Sequence, residues 1–252
     1  MTPSEAQQHA LDELEELGGK PVVLQEDASL QNLARIQIAS ATRPIHVLSY
    51  SPTAAPALAY LVCFQCELAK RTLLAAPDER FNVASTSDTY RAVEKLAREK
   101  KGVPAEKLKS YSQIITDGLG TQLRSMPIGL RVDRHLFHEH PELHDQQRAA
   151  AERSMKDNVG CLHPSVRTHA PDLVFKATTT MNAAFALEWC RLWNEEAHAV
   201  PYRLAGFIEP AERLLGTLNA IPTTPTHDRE LVVAWASLLG INHLYQIGPV
   251  GL

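Results

Sequence analysis

Ala57–Ala76, ALAYLVCFQCELAKRTLLAA, is the stretch on which the reading of this chain turns. Twenty residues pass without a breaker, apolar side chains fall on nearly every face, and Pro56 and Pro77 bracket the run. A helix that is apolar all round is a buried helix, so this segment is predicted to run through the middle of a domain. Three short segments precede it: Pro21–Gln25 (PVVLQ), Leu33–Ala39 (LARIQIA) and Ile45–Tyr50 (IHVLSY). Their β-branched content and alternation predict a small sheet over residues 21–50 packed on the helix of residues 56–75. Upstream, MTPSEAQQHALDELEELGG places Ala10, Leu14 and Leu17 on one stripe and ends in Gly18-Gly19, which predicts a first helix that stops there.

Downstream the pattern is helical throughout. Helices are predicted at Thr89–Lys101, stopped by Gly102-Val103-Pro104; at Ala105–Leu123 and Leu130–His140, joined through Ser125-Met126-Pro127; and from Pro141. A loop over Gly160–Pro171 leads to helices at Leu173–Glu196, Glu209–Leu218 and Asp228–Ile247. The order helix, small early sheet, buried helix, helical body reads as α+β, mostly α. Residues 1–150 are expected to form one α+β domain, with residues 151–252 as a helical extension packed on it, and no repeat or low-complexity tract interrupts the chain.

Composition bounds what such a protein does. At 252 residues, 44% hydrophobic and 21% charged, the chain has enough apolar material for a large core and is not a disordered or collagenous sequence. Its 25 Lys and Arg against 29 Asp and Glu, a net charge of -4, give no electrostatic reason to expect a nucleic-acid or anionic-membrane binder. The most apolar stretch, Leu231–Ile241, is far short of the roughly 20 residues of a membrane span. The N-terminus is acidic and lacks a signal-like apolar run. Four cysteines do not make a disulfide framework in a chain of this size, so a cytoplasmic setting with reduced thiols is expected.

Within the buried helix, YLVCFQCELAKR (Tyr60–Arg71) resembles the active-site helix of the ImmA/IrrE-type, zincin-like metallopeptidases, of the form Y-L-x-x-H-E-x-G-H-x-L-R. In that register Phe64 and Leu68 stand where the two histidine ligands would be, and Gln65 where the glutamate base would be. The stretch DGLGTQLRSMPIGLRVDRHLFHEHPELHDQQ (Asp117–Gln147) is similar to the later part of such peptidases, where a helix after a proline-containing turn supplies the third ligand. Asp133 then falls on the ligand-bearing helix, and Gly129 where an acidic residue is common. The likeness implies a peptidase-like scaffold over about the first 150 residues without its chemistry: phenylalanine and leucine do not bind zinc, and glutamine does not accept a proton from water. It implies a pseudo-enzyme, with no cofactor and no bound metal, that acts through a groove at Phe64, Gln65, Leu68 and Asp133 on another protein in a regulatory or multi-protein assembly.

Two other readings come from the residues alone. His135, His138, His140 and His144 in RHLFHEHPELHD are spaced so that some could share a face, and would make a metal-dependent hydrolase if further ligands converged, for instance from Cys161, His163 or His169. The polar character of the segment favours an exposed helix and turn. The basic run Arg91–Ser110 would suit a DNA-associated helical module, but its glutamates and lack of interleaved aromatics favour a solvated face. Cys63 and Cys66 form a CxxC that lies mid-helix, where burial rather than reactivity is expected. The aromatic set Phe185, Trp189, Trp193, Tyr202 and Phe207 is expected to pack the C-terminal helices.

Overall fold

A computed structural model describes residues 1–100 and 103–249. Lys101 and Gly102, where the sequence sets the end of the Thr89 helix, lie outside the described residues. The helices are α1 (Pro3–Gly18), α2 (Leu58–Leu74), α3 (Ser87–Arg98), α4 (Leu108–Glu139), α5 (His144–Asn158), α6 (Pro164–His169), α7 (Asp172–Trp193), α8 (Val200–Leu204), α9 (Ile208–Ala220) and α10 (Asp228–Leu238). The strands are β1 (Val22–Glu26), β2 (Ala34–Gln37), β3 (His46–Tyr50), β4 (Phe81–Ser85) and β5 (Tyr245–Pro249). The protein is a mostly-α α+β fold with its first sheet in the order β1-β3-β2, β1 parallel and β2 antiparallel to β3. No helix among the described residues is long and apolar enough to cross a membrane.

The start of the chain folds as its pattern dictates. Thr2 and Glu5 form a capping box at the head of α1, and Gly19, at φ 58°, ends it in the left-handed conformation that glycine adopts without strain. Ala6, Ala10 and Leu14 pack against α2, which the sheet covers from another side through β2 and β3. Ala59–Cys63, Cys66 and Ala69 of α2 are buried, as the all-round apolar pattern requires. That cluster draws on residues 6–150. A second one, around Met181, Trp189, Tyr202, Leu215 and Trp235, draws on residues 93–245, and α4 and α5 contribute to both.

Several elements depart from the local reading. The two helices expected on either side of Ser125-Met126-Pro127 are one 32-residue helix, α4, with Pro127 buried inside it. An interior proline costs about 3 kcal/mol through its missing N–H and ring clash. Packing of α4 against α2, α3, α7 and α10 outweighs that cost. The helix expected over Asp228–Ile247 stops at Leu238: Gly240 takes φ 69°, and Tyr245–Pro249 becomes a strand. The partner of that strand is β4, antiparallel, in a segment that carries no strand signal of its own strength. The Gly160–Pro171 loop contains α6, whose first residue is Pro164.

Candidate functional site

The α2–α4 crossing sets Tyr60 and Phe64 of α2 against Asp133 and Gly129 of α4. Tyr60 Oη donates to Asp133 Oδ1 at 2.5 Å, and one turn further along α2 the ring of Phe64 meets α4 at Gly129. A Cβ on Gly129 would lie 3.3 Å from Phe64 Cζ, so the ring occupies the space into which a longer side chain at 129 would point. The two contacts step in opposite senses along the chain, which makes the helices antiparallel here. Gln65 donates from Nε2 to the Ala34 carbonyl at 3.3 Å and ties α2 to β2.

Phe64, Gln65, Leu68 and Asp133 all line a cavity of about 1190 Å³ bounded by β2, α2, α4, α6 and α7. A smaller recess of about 390 Å³ shares Ala34, Phe64, Gln65 and Asp133 with it. Phe64 and Leu68 are only half-buried, so they wall the space rather than close it. The four side chains supply one carboxyl group, one amide and two apolar surfaces. Burial raises the Asp133 carboxyl to about 7; the bond from Tyr60 acts the other way, and the charge of Glu188 adds to the rise. Tyr60 in turn is pushed far up by burial and by its carboxylate neighbour. Asp133 therefore changes charge near neutral pH.

β2 is an outer strand beside this cavity. Ser51 N–H donates to the Leu33 carbonyl, and Arg35 and Gln37 face Ser49 and Val47. In an antiparallel pair, hydrogen-bonded positions alternate. The backbone groups of Ala34 and Ile36 consequently point away from β3; Gln65 takes the Ala34 carbonyl, the Ile36 groups face the open edge, and Ala34, Ile36 and Ile38 line the cavity. On its far side, Arg71 and Arg131 both bond Asp228 Oδ1, at 2.6 and 2.8 Å, which fixes α2, α4 and α10 to one another.

The histidine segment is dispersed by its own turn. Glu139 ends α4, Pro141 opens a short 3-10 turn, and His144 belongs to α5. His135 and His140 meet edge to face with ring centroids 6.4 Å apart, while His140 Nδ1 pairs with Glu142 at 3.1 Å. His144 stacks on Phe137 and bonds its carbonyl at 2.7 Å, and His138 packs on the other ring edge. His163 caps α6 through Ser165, and His169 bonds the Ser165 carbonyl. Among the described residues no three His, Cys, Asp or Glu side chains converge as a metal site. In the basic run, Arg91 pairs with Asp88, Arg98 with Glu94 and Lys100 with Asp172.

Sequence reasoning missed Tyr60 as the partner of Asp133, although a lone tyrosine in the first turn of an apolar helix signals a buried hydroxyl in need of an acceptor. Compared with protein-family models, with curated proteins and with solved structures, the chain finds no match in any of the three.

Proposed function

We propose that the protein binds an extended segment of a partner protein along the free edge of β2 and does not cleave it, serving as a non-catalytic member of a regulatory or multi-protein assembly. The observation that carries this reading is the outward-facing backbone of Ile36 beside the cavity, next to an Ala34 carbonyl that Gln65 already bonds. An unpaired strand edge is a template for strand addition, and the pockets beside it select side chains. At the place where the resembled peptidases hold zinc and a base, Phe64, Gln65 and Leu68 offer apolar contact and an amide. Free thiols at all four cysteines, three of them buried, support a reducing, cytoplasmic setting.

Selection of a random decapeptide display library against the folded protein tests the reading. Ile36→Pro removes the outward N–H while leaving the bonds of Arg35 and Gln37 to β3 in place. Selected peptides are expected to bind the parent, to bind Ile36→Pro at least tenfold more weakly, and to be recovered intact. Cleaved peptides, or binding indifferent to Ile36→Pro, overturn the proposal.

A further inference from the structure

Three acidic side chains are buried among the described residues: Asp133, Glu188 and Asp228. Two of them have their cation. Arg134 bonds both oxygens of Glu188, and Arg71 and Arg131 share Asp228. Asp133 has none: its Oδ1 accepts from Tyr60, and among the described residues Oδ2 has no hydrogen-bond partner and no Lys, Arg or His pairs with the group. The cations nearest to it on α4, Arg131 and Arg134, are turned to the other two carboxylates. Buried charges are ordinarily paired, because the hydration lost on burial has to be replaced by a partner.

Asp133 also lines the recess of about 390 Å³. Exposure grades the wall of that recess: Asp133, Tyr60 and Leu61 are buried, whereas Gln31, Arg153 and Asp157 are exposed. The recess runs from a polar mouth to a carboxyl at its base. At the mouth Arg153 is tied to the carbonyl and hydroxyl oxygens of Thr53, while Asp157 makes no ion pair among the described residues. Phe64 and Phe185, both half-buried, add apolar surface between mouth and base.

We infer that this recess takes a lysine side chain of the bound segment, its ammonium on Asp133 Oδ2 and its methylenes along Leu61, Phe64 and Phe185. Lysine rather than arginine follows from the bond to Tyr60. With Oδ1 occupied, one oxygen is left, which suits a point-like ammonium and not the paired N–H donors of a guanidinium. A lysine stem buries readily along apolar surface. The strand edge brings the segment there: Ala34 lines the recess as well as the larger cavity and shares its face of β2 with Ile36. An added strand repeats that alternation, so every second side chain of the segment points into the same space. The inference rests on the peptide reading for the molecule that carries the lysine, and not for the recess that receives it.

Titration of the protein with lysine capped as its Nα-acetyl methylamide, and with the norleucine and arginine counterparts, followed through the amide NMR signals, tests it. The lysine compound is expected to bind at 1:1, at least tenfold more tightly than the norleucine compound and more tightly than the arginine compound. Asp133→Asn keeps an acceptor for Tyr60 and removes the charge, and is expected to bind the lysine and norleucine compounds alike. A lysine compound that binds no more tightly than norleucine, an arginine compound that binds as tightly as lysine, or a lysine preference that survives Asp133→Asn overturns the inference. Ile36→Pro is expected to bind the lysine compound as the parent does while losing the selected decapeptides, so the two proposals fail separately. Decapeptides that need Ile36 but accept norleucine at every lysine overturn this inference alone. A lysine compound held through Asp133 by a protein that selects no edge-dependent peptide supports it and overturns the strand-edge reading alone.

Discussion

The hydroxyl of Tyr60 and the carboxyl of Asp133 meet at 2.5 Å in the α2–α4 interface, with no solvent access to either pKa-determining group beyond a few per cent of the side chain. Because burial raises Asp133 to about 7 from the ordinary 3.8 of an aspartate, the folded protein keeps a proton there that the unfolded chain has released. Between those two values the native state binds more protons, so this group's contribution to stability falls as pH rises and is flat above about 7. Asp133→Asn removes the dependence. Thermal unfolding at pH 5 and pH 8 is expected to show the variant gaining about 2–3 kcal/mol on the parent between the two, at roughly 1.4 kcal/mol per unit up to the native value. An equal pH dependence in both proteins would refute the assignment. His46, held low by burial, works with the opposite sign, and the comparison cancels it.

Gly18 and Gly19 look interchangeable in sequence and are not. Gly19 needs its positive φ, whereas Gly18 needs the absence of a Cβ, which would lie 2.5 Å from His46 Nε2. The imidazole cannot retreat easily: it is buried and its Nδ1 accepts from Ala39 N–H at 3.1 Å. Gly18→Ala therefore loses about 1–3 kcal/mol to overpacking, more than the roughly 1 kcal/mol that helix propensity returns. Denaturant unfolding measures the net sign, and a stabilised variant would contradict the contact.

Of the four thiols, one is expected to react in the native state. Burial pushes Cys63 and Cys66 up to about 12 and raises Cys190, while Cys161 is partly exposed and lines the cavity. Since the thiolate is the nucleophile, maleimide is expected to label Cys161 alone before unfolding and all four cysteines in denaturant. Mass analysis that finds Cys63 or Cys66 modified in the folded protein decides against the burial.

Asp228 is the shared anion of Arg71 and Arg131, and the Arg131 side chain is 2% exposed. Asp228→Ala leaves a buried guanidinium uncompensated, a change that costs about 3–5 kcal/mol. Asp228→Ala is expected to shift the midpoint of urea unfolding by that amount, and Arg131→Met in the Asp228→Ala background to recover part of it. No recovery in the double variant would mean that the network is not the cause.

The early half of the fold was legible because its signals are local. Two glycines, three short segments with strand character and an apolar run lie beside the elements they pack on, and they appear in the structure as α1, the β1-β3-β2 sheet and α2. The placing of Phe64, Leu68 and Asp133 in the wall of one cavity was legible only through a resemblance, which linked α2 to α4 across 65 residues where periodicity could not. What stayed hidden depends on distant partners. Pro127 reads as a break until the four helices around α4 are counted, and Tyr245–Pro249 reads as helix until Phe81–Ser85 is placed against it.

The pairing of Ser85 with Tyr245 has a kinetic side. Each emerging chain carries β4 with both edges open while the next 160 positions are made, and only then does β5 arrive to cover one of them. Closing a loop of that length costs about 4–5 kcal/mol of chain entropy. Contacts of such separation form late in folding. During synthesis, the unit built from α1, the first sheet and α2 needs only the stretch up to Ala150 to complete its cluster, whereas the larger core waits with Phe81 and Val83 uncovered, and it is in that interval that the nascent chain is open to wrong strand partners, including copies of itself.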